Sequence, residues 1–463
     1  MQERLETIAG AADLDVCGQS CSPDTGEVAH DGISQVIERS LPLTPDKNVF
    51  KCSGIDGIRP HFRKSWPLER WLVERILGWA GRPRLAMILW DGAVIGDEQS
   101  AIGQLVVQSP ATLRKLFWNA NLAFGECYVD GSLQVHGPLV PIIAEINRGL
   151  SRVRSRHRNS KNPRFSRNAH SLVNSRFSVH HHYDLGNRFY QLWLDRQLVY
   201  TCAYYPHPGT SLDDAQTAKL DYVCRKLRLK AGERIVEAGC GWGALAMHMA
   251  RHYGVTVRAF NLSTEQIQYA RQRAEVEGLS DRVEFVQDDY RQMSGSFDAF
   301  VSVGMLEHVG PENYQDLGQL ISRVLTPTGR GLIHSIGRNA PRQLDPWTEK
   351  YIFPGAHPPS LREIMTIFEG ADLSVVDVEN LRLHYARTCA DWLTNFELVV
   401  DQVAQMFDER FVRMWRLYLA ASSATFETGD LQLFQVVFGR ASDNSHPTTR
   451  GDWYGSPLRG DTT

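Results

Sequence analysis

The run Glu237-Ala238-Gly239-Cys240-Gly241-Trp242-Gly243 constrains the fold more than any other stretch of this chain. Arg234, Ile235 and Val236 lead into it as an apolar, strand-like approach, and Ala244 to Arg251 leave it as a helix. Three glycines at alternate positions between a strand and a helix let the backbone turn sharply and approach a bound ligand closely. The acidic residue at the strand end can hold a positive group or a ribose-like diol. The spacing G-x-G-x-G departs from the dinucleotide fingerprint G-x-G-x-x-G, and the lysine and Ser/Thr of a P-loop are absent. A nucleotide-type cofactor therefore fits this turn better than a phosphate cradle.

After residue 210 the chain alternates regularly. Helices are expected over 213–227, 244–253, 264–277 and 314–325, and strands over 234–237, 256–260, 282–286, 299–303 and 331–336. Strands at 373–381 and 431–438 flank a long helical stretch, 389–425. This pattern predicts an α/β fold, a largely parallel sheet covered by helices on both faces. Ligands of such a sheet gather at the carboxyl ends of its strands. The glycine turn sits at that edge, and so do Asn261, Asp288, Asp289, Glu307 and His334.

Upstream, residues 1–64 lack any sustained apolar period and read as a poorly ordered extension. Residues 65–150 read as a small α+β domain, with helices at 66–79 and 113–122, a strand–turn–strand at 85–95 and a turn-rich segment at 125–131. Residues 151–179 carry Arg152, Arg154, Arg156, Arg158, Lys161, Arg164, Arg167 and Arg176 with no acidic residue, and read as a basic linker. Such a run suits anionic lipid headgroups, a nucleic acid or a solvated tether. The main domain is expected over 180–440 and a flexible tail over 441–463.

The formal net charge of −3 excludes a chain that is basic throughout. No apolar run approaches the roughly 20 residues needed to span a bilayer, and the first residues lack the pattern of a secretory signal. The eight cysteines show neither paired metal spacing nor a dense disulfide framework. A cytoplasmic chain is expected. Neighbouring side chains of His180-His181-His182 point to opposite faces of an extended segment, so no metal site is expected there.

Several patches resemble the cyclopropane-fatty-acyl-phospholipid synthase family, a branch of the class I S-adenosylmethionine (AdoMet) methyltransferases. They are Gly125-Glu126-Cys127-Tyr128, His182-Tyr183-Asp184-Leu185-Gly186-Asn187, Tyr200-Thr201-Cys202-Ala203-Tyr204-Tyr205, Val303-Gly304-Met305-Leu306-Glu307-His308-Val309-Gly310 and Leu383-His384-Tyr385-Ala386-Arg387-Thr388. The resemblance covers about residues 65–440. It implies a class I methyltransferase Rossmann-like sheet with a small N-terminal lipid-docking domain. It also implies a cofactor site: Glu237, Gly239, Gly241 and Gly243 at the loop, Asn261 and Gln266 at the ribose, Asp289 and Tyr290 at the adenine, and Tyr200 and Thr201 closing over it.

An isolated lipid alkene is an uncharged nucleophile with no proton to remove, so no Ser–His or Cys–His activating pair is required. Attack on the AdoMet methyl leaves a carbocation, which must then lose a proton in a site that excludes water. In the family a bound bicarbonate ion is the base. The resemblance assigns it to the Cys202 and Ile336 N–H groups and the side chains of Glu307, His334 and Tyr385. Tyr183, Tyr204 and Phe353 are candidates to stabilise the cation. Ser422 stands where the family often carries a cysteine, and Cys389 reads as packing.

The expected activity is methylene transfer to the double bond of an unsaturated phospholipid, giving a cyclopropane acyl chain. The alternatives are a methylene- or methyl-branched product and, from another class, a non-catalytic lipid-binding protein. The expected setting is the inner face of the membrane, peripherally bound, as a homodimer and without nucleic acid.

Overall fold

In the computed structural model the described residues are 63–156 and 185–454, within one compact unit, Asp56–Thr463. Residues 1–62, most of the basic stretch, the His180-His181-His182 triplet, Tyr183 and the chain beyond 454 lie outside the described residues.

The first sheet has four strands, β1 (Leu85–Ile88), β2 (Val94–Ile95), β3 (Gly103–Val107) and β4 (Leu133–His136), ordered β2-β1-β3-β4. β1 and β3 run parallel, and the other pairs are antiparallel. Val73 and Leu77 of the helix Pro67–Trp79 pack on Leu85, Met87 and Leu105. Two expectations fail here. The helix expected over 113–122 is two helices, Pro110–Trp118 and Ala120–Val129, divided at Asn119. Ser109 and Asn119 cap them, accepting from Thr112 N and Leu122 N. The segment expected to be turn-rich at 125–131 is helical to Val129. Gly125 serves a close approach rather than a turn, because a Cβ there would lie 2.3 Å from the Trp347 ring.

The basic stretch also begins inside a helix, Leu139–Arg156. Arg152 faces Glu145 at 3.7 Å and Arg154 faces Asp430 at 3.3 Å, so these two charges are not uncompensated. Glu145 lies two turns back on the same helix, outside the basic stretch, and Asp430 is too distant in sequence to leave a local signal.

The second sheet has seven strands: β5 (Arg234–Ala238), β6 (Thr256–Asn261), β7 (Val283–Gln287), β8 (Phe297–Val303), β9 (Leu325–Gly337), β10 (Leu373–Asn380) and β11 (Gln432–Arg440). Their order is β10-β11-β9-β8-β5-β6-β7. Strands β9, β8, β5, β6 and β7 are parallel, and β11 inserts antiparallel between β9 and β10. Successive residues of β5 serve opposite faces, as the two-residue period requires. Ile235 packs with Leu220, Leu245 and Ile267 on one side, and Val236 with Leu317, Ile321 and Ile364 on the other. From β5 the order runs to β6 in one direction and β8 in the other, which opens a crevice at the strands' carboxyl ends.

The stretch expected as one long helix divides into Arg382–Glu397, Val400–Met406 and Glu409–Thr428. The tail expected to be flexible from 441 is packed as far as Tyr454. Arg450 Nε donates to Asp377 Oδ1 at 2.7 Å, and Trp453 is buried.

Candidate active site

The glycine turn is pinned to its neighbour strand, with Gly239 N and Cys240 N donating to Phe260 O at 2.9 and 3.1 Å. Gly239, Gly241 and Gly243 have φ of 82°, 53° and 82°, a region that favours glycine. Gly243 also permits close packing, since a Cβ would meet Phe285 at 2.5 Å. Gly241 differs. A Cβ there meets nothing within 4 Å, and the residue faces a cavity of about 850 Å³.

Every residue assigned to the cofactor except Gly243 lines that cavity. Asn261 Nδ2 donates to Gly241 O at 3.2 Å and to Gln266 Oε1 at 2.8 Å, while its Oδ1 accepts from Leu262 N. Asn261 is thereby consumed in fixing the loop, and the bare donor is Gln266 Nε2. Asp289 caps a short 3₁₀ turn by accepting from Arg291 N. Tyr200 OH lies 2.7 Å from Tyr418 OH, and Thr201 Oγ1 accepts from Lys219 Nζ at 3.0 Å. Gln216, buried beneath them, donates to Thr201 O at 2.8 Å and holds that segment in place.

Glu237 is buried, and its Oε2 has no hydrogen-bond partner among the described residues. Burial pushes this carboxyl up to about 8, against the opposing pull of Lys219. Burial likewise brings the Lys219 ammonium down to about 8, with Asp195 holding it up. Lys219 carries no expected role in the sequence reading. Its place on the helix Leu212–Leu227 resembles that of any amphipathic-helix lysine until the fold buries it.

The acid–base cluster forms where β9 ends. Ile336 N donates to Glu307 Oε1 at 2.6 Å. The N–H expected to grip an anion directly therefore anchors Glu307 instead. Glu307 Oε2 is buried without a hydrogen-bond partner among the described residues, and burial pushes the carboxyl up to about 7. Its neutral form accordingly carries the proton at Oε2, the oxygen not accepting from Ile336.

His334 is held by a cross-strand ladder. Its register partner on β11 is Gln435, whose own partner on β10 is Glu379. Lys226 Nζ, a group that only donates, contacts Glu379 Oε2 and lies 2.8 Å from Gln435 Oε1. The Gln435 amide nitrogen therefore faces His334 Nδ1, at 2.9 Å. Nδ1 accepts, so the neutral ring holds its proton on Nε2, which is buried and has no partner among the described residues. Burial, with Lys219 and Lys226 nearby, keeps the imidazole well below its usual range. Sequence reading missed Gln435 and Lys226. Only the β9–β11 register brings positions 334 and 435 together.

Tyr385 stacks on Phe426 with centroids 4.4 Å apart and lines the cavity, and burial pushes its phenol well up. Cys202 is buried, its thiol pushed up by desolvation, and its Sγ donates to Ala203 O at 3.1 Å. That is a poor nucleophile, as expected from a role limited to the backbone N–H. Tyr204, a candidate for stabilising a cation, is sandwiched between Tyr222 and His384 at 4.4 and 4.7 Å and does not line the cavity. Phe353 does line it, beside Tyr418.

Ser422 also lines the cavity, on the helix Glu409–Thr428. A thiol nucleophile has no task in the reaction outlined above. Ser422→Cys is therefore expected to change kcat by less than about twofold, in line with substitutions that touch no named mechanism. A large gain in kcat on initial-rate measurement would show that the thiol matters.

Among the described residues no group of His, Cys, Asp and Glu has the arrangement to hold a metal, and no helix is long and apolar enough to cross a membrane.

A family model described as mycolic acid cyclopropane synthetase matches residues 170–436. The chain is 36% identical over 381 residues to a probable fatty acid methyltransferase of Pseudomonas putida, covering 80% of this chain and 96% of that protein. It is 36% identical over 365 residues to the cyclopropane-fatty-acyl-phospholipid synthase of Escherichia coli K12, covering 78% and 94%. Among solved structures, mycolic acid cyclopropane synthase CmaA1 complexed with SAH and CTAB aligns with a TM-score of 0.55 at 28% identity, over 57% of this chain and 98% of that one. The cyclopropane synthase MmaA2 of Mycobacterium tuberculosis aligns with a TM-score of 0.55 at 24% identity, over 61% and 100%, a likeness of fold.

Proposed function

Because the chain belongs to the cyclopropane-fatty-acyl-phospholipid synthase family of AdoMet-dependent, acyl-chain-modifying methyltransferases, we propose that it adds a methylene across the double bond of an unsaturated phospholipid. The product is a cyclopropane acyl chain. The observation that carries this reading is the buried Glu307 carboxyl, poised near neutrality, its Oε2 without a partner among the described residues, on the cavity that Tyr385 also lines.

The cofactor fits the loop: Gly241 leaves the space a Cβ would fill, and Glu237 Oε2 and Gln266 Nε2 are polar atoms without partners among the described residues. When bound, AdoMet supplies the electrophilic methyl group. The residue types suit a bicarbonate ion, because a small anion needs donors and Glu307 and Tyr385 both face the cavity. Cys202 N–H, Tyr385 OH, His334 Nε2–H and protonated Glu307 Oε2–H would hold it, and it would supply the base that takes the proton. A carboxylate facing an anion is repulsive; burial eases that objection by raising Glu307 to about 7, so that the protonated form is present near neutral pH. Phe353, Tyr418 and Phe426 line the cavity and help exclude water from the cation.

Incubation with AdoMet and an unsaturated phospholipid, followed by mass and NMR analysis of the acyl chains, tests the reading. A gain of one methylene with ring protons supports it. The same gain without ring protons identifies a branched product. No gain refutes both.

Membrane docking is supported by one face of the helix Pro67–Trp79. Leu68, Trp71, Arg75 and Trp79 follow helical spacing on the side opposite Val73 and Leu77. All three apolar residues are at least 45% exposed, and Trp118 nearby is 81% exposed. Arg75 lies 5.6 and 5.5 Å over the Trp71 and Trp79 rings, and Trp79 also lines the cavity. Tryptophans mixed with cations suit the boundary between headgroups and acyl chains. The double variant Trp71→Ala, Trp118→Ala is expected to cosediment with anionic vesicles at least about tenfold more weakly. Its turnover of a dispersed short-chain lipid should stay near wild type. Unaltered cosedimentation would remove this face from the docking surface, and binding indifferent to salt would remove its electrostatic part.

A further inference from the structure

Beyond Ile336 the chain stays extended to Arg338, which bridges to Ser360 and donates its N–H to Pro359 O at 2.8 Å. Side chains alternate along such a segment, so positions 334, 336 and 338 share a face. Arg338 lines the cavity and is 5% exposed, yet its Nε and Nη1 have no acceptor among the described residues. Burial lowers this guanidinium to about 10, which leaves it charged near neutral pH.

Arg154 and Arg342 line the same cavity, each reaching Asp430 Oδ1, at 3.3 and 3.4 Å. The other nearby carboxyl, Asp345, is engaged as a helix cap by Trp347 N at 3.0 Å and Thr348 N at 3.2 Å. Three guanidinium groups therefore share two carboxyls, and the most buried of the three pairs with neither. A buried charge without a partner is costly, and a bound anion would relieve it.

We propose that Arg338, flanked by Arg154 and Arg342, is the subsite for the phosphodiester of the lipid substrate. This rests on the reading above that the substrate is a phospholipid. The planar guanidinium fork matches two phosphate oxygens at once, which a neutral or ammonium side chain cannot do. Four residue steps of extended chain lead from His334 to Arg338, a span of roughly 13 Å. A phosphate held there leaves room for the glycerol and the first methylenes before the reacting carbons. The helix Leu139–Arg156 carries Ile143 and Leu150 along the cavity and Arg154 near its end. That helix provides an apolar path for the second chain of a diacyl lipid.

Titration calorimetry of the full chain with dihexanoyl phosphatidylglycerol, kept below micelle formation, is the test. Dihexanoylglycerol and inorganic phosphate serve as the two comparison probes. R338Q is expected to bind the phospholipid at least about tenfold more weakly, with dihexanoylglycerol and AdoMet affinities within about twofold of wild type. R338K should recover part of the loss. Unchanged phospholipid affinity in R338Q, or inorganic phosphate bound as tightly as the lipid, would overturn the proposal. The readout is binding, so the two readings fail separately. Phospholipid held through Arg338 without product refutes the alkene chemistry alone; product formed with R338Q affinity intact refutes the subsite alone.

Discussion

Glu307→Gln is expected to lower kcat by about 10² to 10⁴, the usual contribution of a positioned acid–base group, while AdoMet affinity stays within about twofold. The amide keeps a donor where Oε2 stands and keeps an acceptor for Ile336 N, so the geometry of the cluster survives. What it loses is the exchangeable proton of a carboxyl poised near neutrality, pushed up to about 7 by burial, and with it the means to pass on the proton that the bicarbonate takes. His334→Ala should behave alike, since it removes the Nε2 donor without touching the glycine loop. The wild-type enzyme should also lose turnover as pH rises through about 7, because deprotonated Glu307 repels the anion it would otherwise hold. That limb should be missing from the residual activity of the Gln variant. Stopped assays across pH, with AdoMet affinity measured by calorimetry, decide the matter. Parallel loss of AdoMet binding would move Glu307 from the chemistry to the cofactor site.

The second sheet was legible because its signals are local. The helix Ala244–Tyr253 agrees with its expected bounds to the residue, since left-handed glycines at 243 and 254 stop it at both ends. The strands of that sheet, apolar and short, follow to within a residue or two, except β9, which extends six residues upstream. The first sheet was less legible. Gly125 reads as a turn signal in isolation, and only the Trp347 ring packed against it explains a glycine inside a helix. The site divides along the same line. Glu307 and Tyr385 came from motifs and His334 from its place in a predicted strand and the family resemblance, whereas Gln435, Lys226, Lys219 and Arg338 acquire meaning only from register and burial. The expected anion-gripping role of Ile336 failed for a related reason. The resemblance assigns its N–H to the anion, but the structure spends that N–H on Glu307.

Glu237→Gln is expected to separate stability from cofactor binding. In the folded state the carboxyl is pushed up to about 8, against 4.5 as its ordinary value. The native state therefore binds more protons than the unfolded state between those limits, and stability falls as pH rises across the window. The penalty reaches about 3 kcal/mol at neutral pH and about 5 kcal/mol above the folded value, as an order of magnitude. Glutamine does not titrate, so the ligand-free variant should be more stable than wild type by a margin of that order that grows from pH 6 to pH 9. The same substitution should weaken AdoMet binding by at least about tenfold. The bare Oε2 at the cofactor end of β5 is the acidic group a cationic ligand would pair with, and binding would draw the proton off it. Chemical denaturation of both proteins at several pH values, alongside AdoMet titrations in buffers of different ionisation enthalpy, checks each part. A variant less stable than wild type at all pH values would mean that Glu237 is a structural anchor. Equal AdoMet affinity would mean that the buried carboxyl serves the fold and not the ligand.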